Sequence, residues 1–548
     1  MSRTVSALAL SVFLSVVSAP AFAQPNILVL MAEDLSPRIG AYGDSYAQTP
    51  NIDELAERAT LYTHAFTTAG VCAPSRAAFI TGQHQISFGG QHMRSSTGPL
   101  GLYYAQPAPE VRAFPEILRA HGYFTFTDTK LDYQFSGIRA HSGPFTIWDL
   151  ENASDTAWRE RAPNQPFFGL INFIETHESG VMRQTGEMYS ASHAASVGMR
   201  KPITALREKV SDPELAPLPP YFPDTPETRA DVARHYDNIH LMDKRVGRIL
   251  RALEEDGLLA KTIVIWTSDH GDGLPRSKRE VLDSGTRVPL LISKPGEPPT
   301  RSDQLISFVD FAPTFLRWAG ITPPAWLHGQ SIDEAHRRYV FSSRDRIDEV
   351  RDRQRSARSA RYRYIRSWFP NVPGGHALNY RDNIDMVQAW RARFAEGVLS
   401  TAQAKWFEPV GTEQLYDLTE DPYELTNLAQ SKAHIKVINE HRSALDSFLT
   451  RVGDTSDQPE EIMRDAFLEN GAVRQTPAPT ASLDDKGNLH LRSAIGASIG
   501  YRITEGRWKL YTNPIPKADL VKEIDTKAVR YGWRESEIVK YSNDLSSR

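Results

Sequence analysis

The sequence predicts an α/β protein built on a doubly wound sheet. Three observations carry that reading: short apolar runs that fit buried strands, a long helical period between two of them, and acidic residues where runs stop. Residues 27–31 of "QPNILVLMAEDLS" form one such run, opened by Pro25 and closed by Glu33 and Asp34. Residues 168–174 of "FFGLINFIETHESG" form another, with His177 just past its end. In "DTPETRADVARHYDNIHLMDKRVGRILRALEEDG", Thr225 can cap a helix, Pro226 takes its first position and Gly257 ends it. Val232, Tyr236, Ile239, Val246, Ile249 and Leu253 fall on one face, so this helix covers the sheet. Residues 262–266 of "KTIVIWTSDHGDG" repeat the first design, with Asp269 and His270 behind a β-branched run. Strand and helix alternate in this way across 24–320.

The chain has 548 residues, enough for one large domain and one or two smaller ones. It opens with Arg3, an apolar run and Ala21-Phe22-Ala23, which reads as a secretory signal peptide over 1–23. No later stretch approaches the ~20 apolar residues of a membrane span. A soluble protein, periplasmic or secreted, is expected. The net charge of −4 gives no electrostatic footprint for nucleic acid. A single cysteine can form no internal disulfide, so the core is stabilised by packing.

That cysteine, Cys72, stands in "TTAGVCAPSRAAFITG". An isolated free cysteine reads as a small buried hydrophobe. Here Cys72, Pro74, Ser75, Arg76, Thr81 and Gly82 together match C-x-P-S-R-x-x-x-T-G, a six-position coincidence of about one in ten million per start point. On these residues the chain resembles the formylglycine-dependent type I sulfatases. The resemblance implies the alkaline-phosphatase-like fold and conversion of Cys72 to 3-oxoalanine (Cα-formylglycine) by a formylglycine-generating maturation enzyme. A thiol attacking sulfur would form a stable dead end, whereas the hydrated aldehyde attacks with one hydroxyl and clears itself through the other. Arg76 stays protonated beside it and favours the alkoxide.

The resemblance also assigns the acid pairs, each of which alone would read as turn or cap residues. Glu33, Asp34, Asp269 and His270 match the family's divalent-metal ligands, a set that suits Ca²⁺ or Mg²⁺. Glu33 replaces the usual Asp, and its longer arm can shift the ion or withdraw from it. In "HGYFTFTDTKLDYQF", Lys130 matches a sulfate-binding lysine, while Asp132 stands where the family usually has His. That K-x-D-Y pattern resembles the polysaccharide and heparan-type subgroup, and leaves Asp132 as either a base or a carbohydrate contact. His177 matches the histidine that protonates the leaving alcohol, with an ordinary pKa near ~6.5 suited to that task. Lys278 matches a second sulfate-binding lysine, and Arg287-Val288-Pro289 leads into a further strand. His92 and Arg94 of "GGQHMRS" either face the sugar or are plain loop residues.

The expected organisation is a catalytic α/β domain over 24–331, a smaller sheet-and-helix subdomain over 332–453, a linker over 454–480 and a small β module over 481–548. "RRYVFSSRD", "ARSARYRYIRSWF" and "EQLYDLTEDPYELTNLA" supply short strands and a turn, with a helix at 432–451. The expected activity is hydrolysis of sulfate esters on a sulfated polysaccharide or oligosaccharide. A phosphonate or phosphate ester hydrolase shares this fold and metal logic. A non-catalytic sulfoglycan-binding protein would have no use for an oxidisable Cys72 motif.

Overall fold

The computed structural model describes residues 24–183, 188–334, 336–521 and 523–541. The signal peptide read at 1–23 lies outside the described residues.

Seven strands form the central sheet: β1 (Asn26–Ala32), β2 (Thr60–Phe66), β3 (Phe124–Thr127), β4 (Phe167–Phe173), β5 (Thr262–Ser268), β6 (Arg287–Ser293) and β7 (Thr300–Ser307). Their order is β3-β4-β1-β5-β6-β2-β7. β3, β4, β1 and β5 run parallel, while β6 is antiparallel to both neighbours. The sheet is therefore mixed rather than wholly parallel. Pro289 removes one ladder donor inside β6, and the β2 register shifts between Tyr62 and Ala65 beside it. Tyr42 fills this break: its hydroxyl donates to Tyr62 O and accepts from Leu290 N.

β1 is fully buried, and its alternate residues serve two cores. Leu28 and Leu30 pack with Tyr236, Ile239 and Val246 of the Pro226–Glu255 helix. Val29 and Met31 pack with Phe79, Phe114 and Phe315 on the opposite face. The long helix predicted between Thr225 and Gly257 is present, and Thr225 caps it by accepting from Thr228 N.

A second, antiparallel sheet follows, ordered β11-β10-β9-β8, from β8 (Val340–Arg344), β9 (Gln354–Arg358), β10 (Tyr362–Ser367) and β11 (Glu413–Asp417). The Ile435–Val452 helix covers it through Ile438, Leu445 and Phe448. The stretch 454–480, read as a linker, holds the Glu460–Phe467 helix and the short hairpin β12 (Leu468–Glu469) and β13 (Ala472–Val473). It is strapped to the domain of the central sheet. Buried Glu460 accepts from the Tyr103 hydroxyl at 2.7 Å and pairs with Arg346 at 2.6 Å.

The terminal β module contains the hairpin β14 (Thr480–Leu483) and β15 (Leu489–Arg492), and a sheet of β16 (Ser498–Ile503), β17 (Lys509–Leu510), β18 (Ile524–Val529) and β19 (Val539–Tyr541). It docks on the catalytic domain, with the Tyr531 hydroxyl donating to Glu116 and the Tyr531 ring stacked on Phe135. No helix among the described residues is long and apolar enough to cross a membrane.

Candidate active site

The register of the parallel strands assembles the site. Ala32 of β1 pairs with Ser268 of β5 and Phe173 of β4, so three strands end side by side. Glu33-Asp34, Asp269-His270 and the turn carrying His177 therefore emerge together, and Lys130 follows the neighbouring β3. Open α/β sheets place their ligands at this carboxyl edge.

Cys72 begins the Cys72–Thr81 helix and is fully buried. The first turn of such a helix leaves free N–H groups, an arrangement that favours an anion. Ser75 donates to Asp269 O at 2.6 Å, tying the helix to β5. Gly82 ends the helix at φ +67°, and a Cβ there would lie 2.5 Å from Leu327 and 2.7 Å from Ala312, so glycine is required. Arg76 reaches across to Asp269 Oδ2 at 2.9 Å and Asn172 Oδ1 at 2.5 Å.

Asp34 holds a left-handed backbone, φ +56°, fixed by its N–H bond to Asp269 Oδ1. Its own Oδ1 lies 3.0 Å from His270 Nε2, which in turn lies 3.2 Å from Cys72 Sγ. Asp34 Oδ2 accepts from Lys278 Nζ at 2.6 Å and Glu178 N at 2.7 Å. Burial works against both charges. Lys278, His177 and His270 nevertheless hold the Asp34 carboxyl well below its ordinary range, and Asp34 is the main partner raising Lys278. Burial likewise opposes the His270 charge, but Asp269 and Asp34 outweigh it and raise the imidazole well above its ordinary value. The His270 Nδ1 pairs with Gly271 O, which leaves Nε2 as the inward atom.

These side chains fit a divalent cation. Asp34, Cys72, Asp269 and His270 each bring one ligand atom within 4.8 Å of the others, and Glu33, Asp34 and His177 form a second such group. Two buried carboxylates flank His270 Nε2, at 3.0 Å from Asp34 and 3.7 Å from Asp269, a charge arrangement that a divalent cation suits. Glu33 stands apart from the first group, as its longer arm allows. Its Oε2 pairs with Lys130 at 3.2 Å, and its buried Oε1 has no hydrogen bond.

His177 accepts from Ser179 N through Nδ1, leaving Nε2 to carry the proton of the neutral ring. Burial, then the charge of Lys278, holds it well below the ordinary histidine value. Arg94 and Asp132 form a bidentate pair at the mouth, where Arg94 keeps 23% of its side chain exposed. Burial pushes the Asp132 carboxyl up, but Arg94 and Lys130 outweigh it and hold it below its usual range. A base role for Asp132 is therefore disfavoured.

His92 meets the loop after β8 and the strap at Glu460 rather than open solvent. It is buried, and its Nδ1 accepts from Arg346 N and lies 3.7 Å from Glu460. The chain turns it inward to support the strap at Glu460. Sequence reasoning missed Glu178 and Arg279, neighbours of His177 and Lys278. Glu178 pairs with Lys278 at 3.1 Å and Arg279 at 2.7 Å. Adjacent opposite charges flanking two predicted site residues were the available signal. It also missed Asp348, on the β8–β9 loop, which lies 3.9 Å from Arg279 and carried no sequence signal.

Residues 25–321 match the Sulfatase family model. The chain is 36% identical over 557 residues to an ulvan-active sulfatase of Formosa agariphila, covering 95% of this chain and 91% of that protein. It is 32% identical over 331 residues to the human N-sulphoglucosamine sulphohydrolase, covering 55% and 62% of the two chains. Among solved structures it resembles a 2-O GAG sulfatase with a TM-score of 0.54 and 22% identity, over 79% of this chain and 94% of that one. The cysteine at a helix start, the acids at two neighbouring strand ends and these matches agree: the chain belongs to the type I sulfatases, sulfuric ester hydrolases on an alkaline-phosphatase-like fold.

Proposed function

We propose that the protein is exported to the periplasm or beyond and removes sulfate from a sulfated polysaccharide or its oligosaccharides. A formylglycine-generating enzyme would first convert Cys72 to formylglycine. The observation that carries this reading is the environment of Cys72: a helix start facing His270 and Asp34, with Lys278 on Asp34, Arg76 on Asp269 and Lys130 on Glu33. The carbohydrate substrate is supported by the similarity to an ulvan-active sulfatase along most of both chains.

Asp34, Asp269 and His270 would hold a divalent cation, Ca²⁺ or Mg²⁺, with Glu33 nearby. Bound there, the ion supplies polarisation of sulfate oxygens. Lys130 and Lys278 attract the anionic ester and orient it toward position 72. Arg76, kept charged by Asp269 and Glu33, favours the ionised nucleophile. The Nε2–H of His177 is the proton source for the leaving sugar oxygen. An anion seated between the two lysines offsets the field that depresses the ring, raising its proton affinity when the acid is needed. Glu178 holds Lys278 from behind.

The test is peptide mass analysis of exported, active protein, together with turnover of defined sulfated oligosaccharides. Cys72 should appear as the aldehyde, and Cys72→Ala should lose all turnover. Full activity with an unmodified thiol would overturn the mechanism.

A further inference from the structure

A large open cleft lies apart from Cys72 and its neighbours. Its volume is about 1110 Å³, and neither Cys72, Lys130, His177 nor Lys278 lines it. The 272–286 loop serves both places. Lys278 turns to Asp34, whereas Arg276, Ser277 and Ser284 face the cleft. The opposite wall comes from the second sheet's domain, including Arg358 and Tyr423.

Several acids in this cleft already have partners. Asp272 pairs with Arg38 at 2.5 Å, Asp283 with Arg358 at 2.9 Å and with Arg363, and Asp44 accepts from the Tyr236 hydroxyl. Three arginines lack a carboxylate partner among the described residues. Arg276 donates to the backbone oxygens of Tyr423 and Glu424 and lies 4.2 Å from the ring centre of Tyr221. Arg287 donates Nε to Thr63 O, which leaves its terminal nitrogens available. Arg301 is exposed near the start of β7, and its side chain makes no hydrogen bond or ion pair among the described residues; Asp303 stands exposed two positions further along the same strand. Tyr423 keeps 45% of its surface exposed at the rim.

We propose that this cleft is a second polyanion site that holds a stretch of sulfated polysaccharide away from the ester being cleaved. The proposal rests on the carbohydrate reading above. Guanidinium forks match the paired oxygens of sulfate better than lysine ammonium groups do. The exposed tyrosine offers an apolar face with a polar tip, suited to a sugar ring that is itself amphipathic. A polymer held at two places on one enzyme rebinds at high effective concentration after each release. A short substrate gains nothing from it.

The test uses Cys72→Ala as the parent, so that binding is read without turnover. It is run through native gels containing dextran sulfate, plain dextran or polyglutamate. Retardation should appear on dextran sulfate alone. Adding Arg287→Ala and Arg301→Ala should weaken it about tenfold, as the loss of two charge-assisted contacts implies. Removing Arg248 and Arg338, two exposed arginines outside the cleft, should change it less than about twofold. Arg301→Ala alone, which breaks no internal contact, should still weaken it about threefold and guards against misfolding of the pair. Equal losses from both pairs, no loss from the cleft pair, or equal retardation by polyglutamate each overturns the proposal. A wild-type enzyme that hydrolyses no sulfated saccharide would sink the functional reading while leaving this binding assay readable.

Discussion

Arg94 grips both oxygens of Asp132, with Nε at 3.0 and 2.8 Å and Nη2 at 2.7 Å. Asp132 stands at the position where the sequence resemblance leads us to expect a histidine. A carboxylate held that way, and kept ionised by Lys130 as well, serves to fix two cations rather than to move protons.

Asp132→Asn should therefore lower single-turnover chemistry by less than the ~10²–10⁴-fold expected for losing a general base. Arg94→Ala should destabilise the fold by roughly 3 kcal/mol, because it strands a buried carboxylate. The double variant should regain much of that stability. Urea unfolding of all three checks the pairing, and a double variant no more stable than Arg94→Ala contradicts it.

Metal binding should fall as pH drops, since Asp269 and Asp34 raise the proton affinity of His270, and a proton on Nε2 competes with the ion for that atom. A titration of Ca²⁺ followed by thermal shift should give about 2.7 kcal/mol of stabilisation at a hundredfold excess over Kd. Asp34→Asn and Asp269→Asn should each lose both this shift and activity. Either variant keeping the full shift would remove that residue from the ligand set.

His177→Ala should cripple hydrolysis of sulfated sugars by ~10²–10⁴-fold while sparing nitrophenyl sulfate, whose phenolate leaves without a proton. Comparing kcat on the two substrates reads this directly. Equal losses would assign His177 to sulfate binding instead.

Asp231, buried in the Pro226–Glu255 helix, provides a test of buried charge. It accepts from Met386 N and Arg234, yet burial pushes its carboxyl up to about 7. The folded value lies above the unfolded one, so its contribution to stability is complete at low pH and disappears as pH rises toward 7 and beyond. Asp231→Asn should gain on wild type as pH rises from about 4 to about 7, and the gap should then stay level to pH 8. A Tm difference that stays constant from about pH 4 to about pH 7 rules out the shift.

The strands and the long helix were legible because their signals are local. β1, β4 and β5 announce themselves as apolar runs, and Thr225, Pro226 and Gly257 mark one helix by capping chemistry alone. The Cys72 motif was equally readable: Ser75 and Gly82 serve the helix's own attachment and ending, so their spacing is fixed in the chain. The strap at 454–480 was read as a linker because its polar composition says nothing about Glu460 meeting Tyr103 and Arg346 more than a hundred residues away.

By itself, then, the sequence determined the sheet-forming runs, the Cys72 motif and the acids that end two of the strands, since each depends on neighbours a few residues apart. Only the tertiary structure decided how those groups use their charges. It turned His92 inward and gave Asp132 to Arg94. It set Glu33 against Lys130, and placed Glu178 behind Lys278. Burial makes an unpaired charge costly, and which partner relieves that cost is chosen by strands and loops that meet only in the folded chain.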